Sequence, residues 1–190
     1  MKKLSICLLV LLVSAVGCAS SPPARFYLLN PAAGGQEPHP EQQAAEQIGL
    51  QVQVPDYLDR PQIVVREGEN RLSLSELDRW AEPLSRMITR VLSQELAAGP
   101  SPVRVNTPGS SEDDMRIWVQ ILRLDGKPRG RVHLSADWRI ASTRMDNAQS
   151  DSFSTTVPAP AQDMDSLVQA HEQAIQELAA NLREALSRTR

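Results

Sequence analysis

Val132-His133-Leu134-Ser135-Ala136-Asp137-Trp138-Arg139-Ile140 alternates apolar and polar residues without a break. Successive side chains on a strand point to opposite faces, so this run predicts a half-covered strand. Val132, Leu134, Ala136, Trp138 and Ile140 share the covered face, and His133, Ser135, Asp137 and Arg139 the other. Just upstream, residues 117–124 form a second strand. Ile117, Val119 and Ile121 lie on one face and Trp118, Leu122 and Leu124 on the other, which predicts a central strand covered on both sides. Residues 125–130, with Gly at both ends of Lys127-Pro128-Arg129, join the two as a hairpin. A further strand is expected at 152–157, ended by Pro158 and Pro160.

Helices flank this hairpin in sequence. Leu84, Met87, Ile88, Val91, Leu92 and Leu96 recur at helical spacing and make one apolar stripe. Ser75 and Asp78 approximate a capping box, Pro83 suits a first turn or a kink, and Gly99-Pro100 stops the helix. A final helix starts at Asp165, with a stripe of Leu167, His171, Ala174, Ile175, Leu178, Leu182 and Leu186. Its Arg183, Arg188 and Arg190 sit near the negative end of the helix dipole. His171 on the stripe reads as a satisfied border residue. Shorter strands are expected at 26–29, 48–54, 62–66, 71–74 and 103–106, and the Pro-, Gly- and Gln-rich stretch 30–47 is a loop. There is no internal repeat and no second core. The fold class is therefore α+β: a single domain with a mostly antiparallel sheet and two long helices packed on it.

The N-terminus has another character. Lys2 and Lys3 precede an apolar run from Leu4 to Val16 that is too short to span a bilayer but suits the h-region of a signal peptide. Ala15-Val16-Gly17-Cys18 resembles a bacterial lipoprotein box, in which the Cys18 thiol becomes the lipid attachment point and the new N-terminus. The expected divisions are a signal peptide over 1–17, a lipidated tether over 18–25 and one domain over 26–190. Ala19, rather than Asp, follows Cys18 and predicts sorting to the outer membrane, facing the periplasm. Two acyl chains would hold the protein there stably.

Removing Lys2 and Lys3 from the 20 basic residues leaves 18 against 23 acidic ones, a net charge of −5. That argues against a nucleic-acid binder held by phosphate contacts. With Cys7 lost alongside the signal peptide, Cys18 stands alone, so neither an internal disulfide nor a thiolate metal site can form. No Gly-rich phosphate loop, no His-Glu-x-x-His and no Gly-x-Ser-x-Gly elbow is present. Glu112-Asp113-Asp114 reads as a solvated loop. No catalytic residue, metal or cofactor is expected, and the protein is not expected to be an enzyme.

Two longer stretches carry a resemblance: Tyr57-Leu58-Asp59-Arg60-Pro61-Gln62-Ile63-Val64, and Ser73-Leu74-Ser75-Glu76-Leu77-Asp78-Arg79-Trp80-Ala81-Glu82-Pro83-Leu84. With Phe26-Tyr27-Leu28-Leu29 and the lipoprotein signal, they resemble the PqiC family of outer-membrane lipoproteins, also described as ABC-type transport auxiliary lipoproteins. The resemblance implies a non-enzymatic role in lipid transport between the inner and outer membranes. It also implies a partner with MCE domains that carries lipid across the periplasm.

Asp59-Arg60-Pro61 makes a stiff turn between two strands, with Asp59 or Glu82 as receiver for an internal ion pair from Arg60. The competing use of Arg60 is contact with a partner. Trp80 is expected as a core anchor before an exposed hot spot. The candidate docking set is Tyr57, Asp59, Arg60, Arg79, Trp80 and Glu82, on a monomer or a homo-oligomer. Two alternatives remain: a carrier holding an acyl chain in a cavity between helices and sheet, and an envelope hydrolase with polar groups converging in a deep pocket.

Overall fold

A computed structural model describes residues 22–32, 47–99, 103–106, 115–142 and 148–188. The signal peptide, Cys18 and the Glu112-Asp113-Asp114 cluster lie outside the described residues. The elements run β1 (Arg25–Tyr27), β2 (Gln47–Gln53), β3 (Gln62–Arg66), β4 (Leu72–Trp80), α1 (Leu84–Ala97), β5 (Arg104–Asn106), β6 (Met115–Gly126), β7 (Gly130–Ser142), β8 (Gln149–Ala159) and α2 (Met164–Arg188).

The eight described strands form one sheet that forks at β6. One edge of β6 pairs antiparallel with β7 along its length, and β7 pairs with β8. Two strands share the other edge. β2 runs parallel against residues 115–120, and β3 meets the far end through Val65 and Gly126. β5 extends the β2 branch; β4 and then β1 extend the β3 branch. Four of the seven pairings are parallel, which corrects the expected mostly antiparallel sheet. The reason is physical: alternation reports which face a residue occupies and carries no information on strand direction. Only strands adjacent in the chain, β3–β4 and the β6–β7–β8 meander, announce their antiparallel sense.

Both helices cover the same face. Ile117, Val119 and Ile121 of β6 and Val132, Leu134, Ala136, Trp138 and Ile140 of β7 are buried with both helical stripes in one cluster. The opposite face is open, and Trp118 and Leu122 are exposed on it. The expectation that β6 is covered on both sides is therefore corrected. Ile121 pairs with Ala136 but Arg123 with Ser135, so Leu122 is the extra residue of a β-bulge. The bulge reverses the parity, and Leu124 returns to the buried face while Leu122 is 46% exposed.

A second correction concerns β4. Its nine residues cover a segment expected to be a short strand followed by the approach to a helix. The Ser75–Asp78 contact does form, with Ser75 Oγ donating to Asp78 Oδ2 at 2.7 Å and accepting from Asp78 N–H at 3.2 Å. It stabilises an irregularity within the strand, where register shifts between Gln62–Arg79 and Val64–Leu74. Helix α1 starts only at Leu84: Pro83 is its N-cap with a non-helical ψ of 132°, and its ring disfavours the α conformation at Glu82 before it. Strand β8 runs to Ala159 through Pro158, which an edge strand tolerates because a missing donor can face away from the ladder. The hairpin loop is correspondingly shorter than expected, with Asp125 and Gly126 inside β6.

The segment after β1 straps the helix pair. Leu29 is buried, Asn30 donates twice to Glu172 Oε1, and Ala32 N–H donates to Glu95 Oε1 at 2.6 Å. Arg183 reaches Glu95 Oε2 at 3.2 Å and the Glu95 carbonyl at 2.8 Å, so this cation serves the C-terminal end of α1 instead of its own helix. Arg188 does lie in the last turn of α2.

Candidate functional site

Residues 54–61 occupy the fork between β2 and β3. Leu58 and Asp59 N–H groups both donate to the Pro55 carbonyl, and Arg60 N–H donates to the Leu58 carbonyl. The turn is then locked to β4 by Trp80 N–H donating to the Pro61 carbonyl at 2.7 Å. Ala81 N–H donates to Tyr27 O, so β1 closes the same corner. The stiff turn expected between two strands is present, and it joins the two resembling stretches at one corner of the sheet.

The six candidate residues separate by role. Trp80 is buried, with its ring edge-on to His171 at a centroid distance of 5.8 Å. It anchors the core and has no surface to offer a partner. His171 is buried rather than a border residue, and its Nδ1 lies 2.8 Å from the Leu167 carbonyl. Burial lowers its pKa, so the ring is held neutral. Asp59 accepts from Ser85 N–H at 3.0 Å and from Ser85 Oγ at 2.8 Å. It therefore caps α1 from a distance, in a place where Pro83 has no side chain able to do so. Asp59→Ala is expected to lower stability by about 1 kcal/mol, read as a shift in denaturant midpoint at unchanged m. An unchanged midpoint would show that the cap contributes nothing.

Arg60 forms no ion pair with Asp59 or Glu82, which corrects the expected internal pair. The Nε atoms of Arg60 and Arg79 are both buried without a hydrogen-bond partner among the described residues. Arg79 alternates with the buried Asp78 and Trp80, so it lies on the open face beside Phe26, its register partner in β1. Tyr57 is half-buried, and its hydroxyl donates to Asp125 Oδ2 at 3.4 Å.

Asp125 centres a network that the sequence reading missed. Its side chain is fully buried, and Arg66 grips it with Nε to Oδ1 at 2.5 Å and Nη2 to Oδ2 at 2.7 Å. Arg123 Nε adds a contact to Oδ1 at 2.9 Å. Burial alone would raise the Asp125 pKa, but the two guanidinium groups outweigh it and hold the carboxyl below its ordinary value. Asp78 repeats the pattern, with Arg25 Nε at 2.7 Å, Ser75 Oγ and the Tyr27 hydroxyl outweighing burial. The only signal for Asp125 in the sequence was its place directly after a strand pattern, which a solvated turn residue shares.

The family model for the ABC-type transport auxiliary lipoprotein component matches residues 27–182, most of the chain and both halves of this corner. The chain belongs to that family. The resemblance to PqiC-type lipoproteins is thereby borne out. A search of curated proteins finds no match. Among solved structures, an uncharacterized protein aligns over 87% of this chain and 99% of its own, with a TM-score of 0.73 at 18% identity. A protein from Xanthomonas campestris aligns over 84% of this chain and 93% of its own, with a TM-score of 0.68 at 17% identity. At such identities these likenesses establish the shared fold alone.

Membership of this lipoprotein family gives the chain a part in transport and, as an auxiliary component, a partner. No helix among the described residues is long and apolar enough to cross a membrane. Two clefts are described. One lies on the open face over Gln51, Trp118 and Arg139, and the other at the β6–β7 hairpin tip.

Proposed function

We propose that this auxiliary lipoprotein is anchored through Cys18 in the outer membrane, faces the periplasm and docks an MCE-domain partner of an intermembrane lipid transport system that supports envelope integrity. The observation that carries the docking surface is the pair of guanidinium groups of Arg60 and Arg79 at one corner, whose buried Nε atoms have no partner among the described residues and whose terminal nitrogens are left for a partner. Buried donors without acceptors are costly, and planar forks held on a rigid turn and a strand end are suited to a partner's carboxylates or carbonyls. Glu82, two residues beyond Trp80 in the chain, adds a charge of opposite sign. Asp59 and Trp80 support this surface from behind, and Tyr57 braces the turn.

The direction of β1 supports the same reading. It runs parallel to β4, toward the corner, so its N-terminal end points to the opposite end of the sheet. A tether arriving from that end leaves the corner directed away from the anchor. Anchoring one partner in each membrane raises their effective concentration, so a weak interface suffices.

The test is co-purification of the MCE protein from membranes with the full chain carrying Arg60→Ala and Arg79→Ala, after melting curves match the unsubstituted protein. Loss of the partner is expected; full recovery would remove this corner as the docking site. Cys18→Ser should release the exported protein from the outer-membrane fraction, and unchanged fractionation would defeat the anchor.

A further inference from the structure

We propose that the cleft at the β6–β7 hairpin tip binds a phosphate group, supplied by the headgroup of an anionic lipid. The cleft has a volume of about 600 Å³ and lies between the β3–β4 turn and the hairpin. Arg123, Lys127, Arg131 and His133 line it. Arg123 commits only its Nε to Asp125, and its two terminal nitrogens have no acceptor among the described residues. Lys127 and Arg131 likewise have no partner among the described residues, and both are exposed. His133 Nδ1 lies 2.9 Å from the Thr156 hydroxyl, and in the tautomer whose Nδ1 accepts from that hydroxyl, Nε2 carries the proton and can donate to a ligand.

The surrounding residues account for the charge excess. Arg66 spends four of its five N–H donors on Asp125 and on the Gly68 and Glu69 carbonyls, so it chiefly frames the cleft. Asp125 balances one of the two guanidinium groups it touches. Glu67, the nearest acidic wall, is paired with Arg71 at 2.8 Å. Glu69 also lines the cleft and offsets one charge. Three cations with unused donors then face one unpaired carboxylate, on a chain whose overall charge is −3. Convergent cations of this kind recognise phosphate through charge-assisted hydrogen bonds.

The hairpin holds these donors in a fixed frame. A Cβ at Gly126 would come within 2.4 Å of the Arg131 carbonyl oxygen, so the two strands close backbone to backbone. Arg129 adopts a left-handed φ of 52°, pinned by its N–H donating to the Ala161 carbonyl at 2.8 Å. The lipid source rests on the anchored reading above. The N-terminal end of β1 points toward this end of the sheet, and the seven residue-to-residue steps from Cys18 to Arg25 can span roughly 23 Å when extended.

Lys127 is the only lysine beyond residue 3, so its acylation by an amine-reactive ester reports on the cleft. Inorganic phosphate should slow that acylation more than chloride at matched ionic strength. For the full chain anchored in phosphatidylcholine nanodiscs, added phosphatidylglycerol should slow it further, and phosphate should compete. Arg131→Gln, which removes no internal contact, should weaken the phosphate protection about tenfold; Arg123→Gln should act in the same direction. Equal effects of phosphate and chloride, or full protection in Arg131→Gln, would overturn the site. Protection by phosphate without protection by phosphatidylglycerol would overturn the lipid source. A chain that does not anchor in the discs defeats the anchor reading separately, since the phosphate titration needs no membrane.

Discussion

Asp125→Ala is expected to lower the unfolding free energy by about 3–5 kcal/mol, the cost of breaking a buried ion pair by removing one partner. The carboxylate is fully buried and receives three guanidinium contacts and one phenol. Without it, Arg66 keeps two carbonyl partners but loses its counter-charge inside the fork of the sheet. The reciprocal changes should cost less and in a fixed order. Arg66→Ala removes the bidentate partner but leaves Arg123 on the carboxylate. Arg123→Ala removes one contact from a side chain 38% exposed, where solvent screens the pair, and should cost under about 1 kcal/mol. Urea denaturation of the three variants tests the order, and equal losses would show that the network is not centred on Asp125. The pH dependence has a definite sign. A carboxyl whose pKa is lower in the folded than in the unfolded state stabilises fully above about pH 4, and the contribution is lost as pH falls through the folded pKa. The advantage of the unsubstituted protein over Asp125→Ala should therefore shrink in acid.

Leu178→Ala should cost about 2–5 kcal/mol, or roughly 5–15 °C in Tm for a chain of this size. Leu178 is fully buried in the α2 stripe, amid contacts that α2 makes with α1, β7 and β8. Trp138 Nε1 donates to Asn181 at 2.9 Å and Thr155 to Glu177, so polar ties on either side of Leu178 resist the helix settling into the vacated volume. Leu92→Ala in α1 is expected in the same range. A loss under about 1 kcal/mol for Leu178 would mean that the helix repacks freely over the sheet.

Both helical stripes could be read directly, because every apolar residue assigned to them is buried. The β7 pattern was equally direct. Information failed where a local rule had two outcomes. Ser75 and Asp78 make the contact expected of a helix cap, but inside a strand, since the same three-residue spacing closes an irregular loop of chain. Leu122 looked like the middle of a second apolar face until one extra residue reversed the parity. Sequence patterns also cannot pair distant strands, so the parallel fork and the Arg66–Asp125 contact across 59 residues were beyond them. Among the docking candidates, Arg60 and Arg79 kept unused donors, whereas Asp59 became a cap and Trp80 a core residue.

The parallel seating of β1 also decides how the domain bears mechanical load. Tension drawn through the N-terminus, back toward the start of β4, acts along the strand axis and strains the hydrogen bonds of Arg25–Tyr27 together instead of peeling them one at a time. The 2.7 Å Arg25–Asp78 contact sits at the first of these residues and takes the pull first. Behind it, Ala81 N–H on the Tyr27 carbonyl and the buried Leu29 add further fastenings before the core is reached. Resistance to such a pull is a matter of unfolding rate rather than equilibrium stability. In the anchored arrangement proposed above, the edge strand works as a shear-loaded clasp between a fluid support and the folded body.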